Sequence, residues 1–225
     1  QGAAKSRISN QGAKNLDFKG EEKVFLSSPF SHSKATQALD VLKQVSHAIS
    51  EAEVELGRID AVAGDGDHGR GMVKGVTSAV TAAEDALQRN AGLSSLFIEA
   101  GKSWAAKAGG TSGVLWGASL VKIGESFEDA AETLSDQDLL SAVSAGIMAI
   151  KNLGKAELGD KTMLDTLLPF IDSLDEELGN GKTMAEAWKH ASEIAQKCAD
   201  ATAALSPKIG RARPLAERSV GTPDP

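Results

Sequence analysis

The chain of 225 residues has no tyrosine, a single cysteine and only 4% aromatic residues. One cysteine, Cys198, excludes a disulfide framework and any multi-cysteine zinc site, and it reads as a small buried hydrophobe. No proline falls between Pro29 and Pro169. An interior proline costs a helix about 3 kcal/mol, so this long gap suits stacked helices. No apolar run approaches the ~20 residues of a bilayer span, and no signal-like apolar segment opens the chain. The net charge of −7 argues against a nucleic-acid binder, which needs a basic face. Composition therefore points to a reduced, cytoplasmic protein without membrane or nucleic-acid partners.

What is present supports helices. Alanine, the best helix former, occurs 35 times, and 41% of the residues are hydrophobic, enough for a sizeable core. The expected class is all-α. Residues 1–31 read as a linker or tail, because 1–20 carry Lys5, Arg7, Lys14 and Lys19 against Asp17 alone and lack apolar period. The start on Gln1 suggests the rear part of a longer polypeptide. Residues 32–225 read as the helical domain.

Within it, Ala38, Val41, Leu42, Val45, Ile49, Ala52 and Leu56 form one apolar face from Ser33 onward. Further helices are predicted near 69–90, 95–107 and 111–127. Ser135 with Asp138 begins another, which Gly154 stops. Met163, Leu164, Leu167, Ile171 and Leu174 lie on the next, ended by Gly179 and kinked or broken by Pro169. Thr183 and Glu186 form a capping box for a helix through Leu205. Residues 207–225 read as loop with one short helix. His47 and His190, the tryptophans and the methionines fit helix surfaces and packing better than chemistry.

The most unusual segment is Ile59-Asp60-Ala61-Val62-Ala63-Gly64-Asp65-Gly66-Asp67-His68-Gly69. Three aspartates fall on a glycine-rich turn between helices. Converging carboxylates repel unless a cation holds them, and hard oxygen ligands suit Mg²⁺ or Ca²⁺. The bland alternative is a solvated turn that caps the following helix; composition leaves both open. Three familiar patterns fail. A helix, not a strand, precedes Gly64, Gly66 and Gly69, against a dinucleotide fingerprint. Glu176 stands where a P-loop ending in Gly181-Lys182-Thr183 needs glycine, and Gly69 and Val76 break the EF-hand.

Other segments are weaker. Gly109-Gly110-Thr111-Ser112-Gly113 precedes an apolar helix, and exposed N–H groups at such a start favour anions. Gly159-Asp160-Lys161-Thr162-Met163 is a second glycine-led helix start, and Gly210-Arg211-Ala212-Arg213 places two phosphate-friendly cations.

In this order and spacing, over about 35–225 and closing on Pro223-Asp224-Pro225, these segments resemble the nucleotide-binding domain of dihydroxyacetone kinases. The resemblance implies a barrel of eight antiparallel amphipathic helices that binds ATP or ADP at one end through two Mg²⁺ ions. It implies Asp60, Asp65 and Asp67 as magnesium ligands and catalytic residues. It further implies His68, Gly69, Gly71, Thr111 and Ser112 about the phosphates, Met72 among the cofactor-binding residues, Gly154, Met163 and Arg211 along the nucleotide, and Asp224 near the ribose or phosphate. A separate domain would hold a small ketose such as dihydroxyacetone or erythrulose, and a homodimer is compatible with that partner. His68-Gly69-Arg70-Gly71-Met72 departs from the His-Gly-x-Asn-Met of phosphotransferase-linked ADP-binding subunits, which favours the single-chain ATP-dependent type. A fatty acid kinase domain, with threonine in place of His68, a nucleotide- or lipid-binding module without turnover, and a purely structural helical protein are the rival readings.

Overall fold

The computed structural model describes residues 24–210 and 212–225; the polar segment 1–23 and Arg211 lie outside the described residues. Eight α-helices follow one another: α1 (Pro29–Asp60), α2 (His68–Gln88), α3 (Leu93–Ala108), α4 (Gly110–Glu125), α5 (Asp136–Gly154), α6 (Leu164–Gly179), α7 (Met184–Ala201) and the single turn α8 (Ala216–Ser219). Short 3₁₀ turns occur at Thr202–Ala204 and Arg213–Leu215, and no strand occurs among the described residues. The chain is all-α, as its composition implies.

The helix starts have local causes. Ser28 accepts a hydrogen bond from the Ser31 N–H, and Pro29 occupies the first turn of α1. Ser135 with Asp138, and Thr183 with Glu186, close reciprocal capping boxes on α5 and α7. The Thr183 box also accounts for Gly181-Lys182-Thr183 without a phosphate. Two expectations are corrected. The left-handed residue that ends α5 is Lys155 (φ 53°), with Gly154 still helical. Pro169 lies in the second turn of α6, which runs unbroken to Gly179. Near an N-terminus, a missing N–H interrupts little of the ladder.

Residues 24–31, placed by composition with the tail, are packed. Phe25 is buried, its N–H donates to the Arg89 carbonyl at 2.9 Å, and the Ser28 N–H donates to the Asp129 carbonyl at 2.8 Å. The first helix therefore begins four residues before the apolar period becomes visible at Ser33.

Each helix packs mainly on the next, from α1 to α7, and α1 also touches α3. This succession is compatible with the expected helical barrel. Leu39, Val76, Leu96 and Trp104 centre one core cluster, and Leu115, Ile150, Leu164 and Leu174 a second. Trp116 on α4 packs against both and joins them. Full burial of side chains such as Leu96, Ile150, Leu164 and Leu174 contributes about 1.5–3 kcal/mol each. The up-and-down order sends the loops after α1, α3, α5 and α7 to one end, where the segments singled out in the sequence gather.

Close helix approach depends on glycine. A Cβ at Gly69 would lie 2.0 Å from the Glu53 carbonyl oxygen of α1, whereas one at Gly179 would meet nothing within 4 Å. Gly69→Ala is expected to destabilise the fold by about 1–3 kcal/mol through overpacking. Gly179→Ala should stay within about 1 kcal/mol of the parent. Thermal unfolding of the two variants side by side checks this; equal melting temperatures would refute the contact argument.

Candidate functional site

Asp60 is the last residue of α1 and His68 the first of α2. The seven residues between them fold back tightly. The Gly64 N–H donates to the Asp60 carbonyl at 2.6 Å, and a side chain at 64 would strike the Asp60 carboxylate. Gly66 has φ +73°, a conformation open to glycine at little cost. This folding gathers the acids: Asp60, Asp65 and Asp67 each offer a carboxylate oxygen, all within 4.8 Å of one another. Asp60 is half-buried and the other two are exposed. The Asp60 carboxylate also lies 3.4 Å from the His68 N–H, and Asp67 holds the N-cap position of α2 without a side-chain capping bond. Three like charges at this spacing repel in water and favour a hard cation among them.

The start of α4 lies beside this turn. A Cβ at Gly71 would come within 3.1 Å of the Ala108 carbonyl at the end of α3. Gly109 (φ +70°) is the only residue between α3 and α4, and Gly110 also has φ +62°. The reversal leaves Thr111 exposed and Ser112 half-buried in the first turn of α4, where N–H groups and the helix dipole favour an anion.

The remaining expected residues divide. Gly154 packs on α4, its Cβ position 3.5 Å from Leu115, so it shares this end of the molecule. Met163 is the N-cap residue of α6 and leans on the second core cluster. Met72 is buried inside the first cluster, and core packing accounts for it. Gly69 is buried against α1, which explains its lack of a side chain. Cys198, expected in the core, is only half-buried. Trp188 is partly exposed and meets Phe170 edge-on at 5.0 Å. Arg211 lies outside the described residues.

The C-terminal tail closes one side. Asp60, Val62 and Ala63 face Ser219, Thr222 and Asp224 across a cleft of about 30 Å³, room for little more than one water. The tail is thus seated on the acidic turn. The Asp224 N–H donates to Thr202 Oγ1 at 2.8 Å. Burial pushes the Asp224 carboxyl up to about 7; the Lys161 charge opposes this, and the Asp165 and Asp60 carboxylates reinforce it.

Sequence reasoning missed the residues that hold this tail. Lys161 is buried with a left-handed backbone (φ 61°), and its ammonium donates to the carbonyls of Leu205 (3.2 Å), Ser219 (2.6 Å) and Thr222 (2.8 Å). Asp165, also buried, accepts from the Gly159 N–H at 2.5 Å and the Thr162 N–H at 2.8 Å. Thr202 is buried too, and it accepts from the Asp224 N–H. The only sequence signal was the glycine-led segment around Lys161; no local pattern marks a lysine as buried.

The Asp224 carboxyl gives a pH prediction for the metal-free chain. A raised carboxyl pKa means that the folded state holds its proton between about pH 4 and 7, where the unfolded state has lost it. Its contribution is fully present at low pH and is lost as pH rises through 7. Asp224→Asn should therefore melt above the parent at pH 8 in EDTA and close to it at pH 4. A melting difference independent of pH would refute the assignment.

The DAK2 domain family model matches residues 62–225, a span that begins two residues after Asp60. D-erythrulose kinase of Mycolicibacterium smegmatis is 46% identical over the whole of this chain, which spans 39% of that enzyme. The ADP-binding subunit DhaL of the PTS-dependent dihydroxyacetone kinase of Lactococcus lactis is 30% identical over 83% of this chain and 88% of the subunit. The native crystal structure of the dihydroxyacetone kinase of C. freundii superimposes with a TM-score of 0.63 and 26% identity, covering 99% of this chain and 35% of that one. The same enzyme solved with AMP-PNP and Mg²⁺ gives 0.63 at 24% identity, covering 98% of this chain and 37% of that one. The chain thus spans little more than a third of the longer kinases it matches, and it belongs to the DAK2 domain family.

Proposed function

We propose that this chain is the nucleotide-binding, phosphoryl-donor domain of a ketose kinase, and that a separate ketose-binding domain carries the acceptor. The observation that carries this reading is the convergence of the Asp60, Asp65 and Asp67 carboxylates beside the glycine-led start of α4. Family membership and the whole-chain match to an erythrulose kinase support it. Erythrulose and dihydroxyacetone are the proposed acceptors, ATP the donor, and the cytoplasm the proposed setting; among the described residues no helix is long and apolar enough to cross a membrane. A homodimer is compatible with the proposal.

The donor set fits Mg²⁺: three hard anionic oxygens on a turn, with the rest of the shell open to phosphate and water. Asp60, Asp65 and Asp67 are the proposed ligands for two such ions. Bound there, Mg²⁺ would supply the charge neutralisation and alignment that phosphoryl transfer requires. The chain's own residues do the positioning. The start of α4, with Thr111 and Ser112, offers N–H and hydroxyl donors to phosphate oxygens. His68, Gly69 and Gly71 line the start of α2 next to it. Gly154 and Met163 would flank the nucleotide on the α5–α6 side and Asp224 on the tail side, and Arg211 is a further proposed nucleotide contact. The buried place of Met72 makes it a support for the α2 start.

The second reading, an ADP-binding subunit served by a phosphotransferase system, is favoured by the match to such a subunit over most of its length. The higher identity to a much longer erythrulose kinase weighs against it.

Calorimetric titration with ATP and ADP, in Mg²⁺ and in EDTA, tests the proposal. Binding is expected only with Mg²⁺. Asp65→Asn should weaken it by at least about 100-fold, more than the usual loss of a residue behind a metal ligand, with helical content unchanged because the side chain is exposed. Nucleotide binding that survives in EDTA or in Asp65→Asn would overturn the metal assignment. ADP retained through purification would favour the subunit reading.

A further inference from the structure

Lys161 is a charged side chain that the fold buries where an apolar one would be cheaper. Only 4% of it is exposed. Its ammonium meets three backbone carbonyls, and among the described residues no carboxylate lies within ion-pair distance of it. Three carbonyl acceptors match the three N–H donors of the charged form, one more than a neutral amine carries. Burial pulls its pKa below the usual lysine value, while the Asp224 carboxylate holds it up. Its backbone is also left-handed at φ 61°, a conformation that a residue with a Cβ rarely adopts.

The partners come from separate parts of the chain. Leu205 follows the 3₁₀ turn after α7, and Ser219 and Thr222 belong to the tail that ends in Asp224. One ammonium therefore joins the loop before α6, the end of α7 and the tail. The tail has other links to the same place: the Gly221 N–H donates to the Ala203 carbonyl at 2.8 Å, and the Asp224 N–H to Thr202. Ser219, Thr222 and Asp224 in turn face Asp60 across the small cleft.

We infer that Lys161 is a positioning residue for the nucleotide site: its buried ammonium clasps residues 219–224 onto the acidic turn and so sets where Asp224 stands relative to Asp60. The inference rests on the nucleotide reading above. Lys161 touches neither nucleotide nor metal in this account; it acts through the tail.

The test uses Lys161→Met in the full chain, with Mg·ADP as the probe. Three quantities are read: the dissociation constant, the melting temperature, and hydrogen exchange of the 219–224 amides. Loss of the clasp should speed that exchange and raise the dissociation constant about tenfold or more, as for residues that support a binding group. Asp224→Asn should then weaken binding less in the Lys161→Met background than in the parent, because both act through one segment. A lower melting temperature with unchanged dissociation constant and unchanged tail exchange would make Lys161 merely structural and overturn the inference. If Lys161→Met fails to fold, Lys161→Gln, which keeps two N–H donors, carries the same comparison. If the parent binds no Mg·ADP, the nucleotide reading falls, and tail exchange alone still decides whether the clasp exists.

Discussion

Carboxylates crowded at one end of a helical stack repel one another, and the turns, helix starts and tail at that end are arranged around this repulsion. Asp60, Asp65 and Asp67 share a seven-residue turn and its borders, and Asp224 is brought up to them from the far end of the chain. Like charges this close oppose the arrangement, and water screens the exposed pair Asp65 and Asp67 more than it screens Asp60. The molecule answers in three ways. It leaves Asp65 and Asp67 exposed to water, it places the Asp60 carboxylate near the first N–H of α2, and it raises the proton affinity of Asp224, first by burial and then by the Asp165 and Asp60 charges. A divalent cation would relieve the same repulsion more fully, which is why the geometry and the proposed chemistry point the same way.

Glycine makes the arrangement possible for two distinct reasons. Gly66, Gly109 and Gly110 take positive φ, so the chain can reverse within one or a few residues. Gly64 and Gly69 are needed for space, since a Cβ would collide with the Asp60 carboxylate or the Glu53 carbonyl. Together they hold the starts of α2 and α4 side by side. Two helix starts facing one acidic turn create an alternation of negative side chains and N–H donors. A metal–phosphate ligand matches that alternation, and a bare anion does not.

Much of the fold was legible because its causes are local. The capping boxes at Ser135 and Thr183 are written in residues three apart, and α1 and α7 show their apolar period directly. The acidic turn was legible because its three aspartates lie within eight residues. The packing of Phe25 is not legible locally, because its N–H pairs with the carbonyl of Arg89, which is distant in sequence. Met72 sits among polar and glycine-rich neighbours that point to the nucleotide, and the turn of the helix places its side chain in the first core cluster.

Helical class, helix starts and the acidic turn follow from residue order alone, because periodicity, capping and charge density act over a few residues. Tertiary structure alone decided that the start of α4 stands beside that turn and that Asp224 joins it. It alone decided, too, that Lys161 is buried under the carbonyls of Leu205, Ser219 and Thr222. These contacts join segments 44 to 61 residues apart in the lysine's case. A lysine's surroundings depend on which distant carbonyls the packing brings to it, and no short stretch of sequence carries that information.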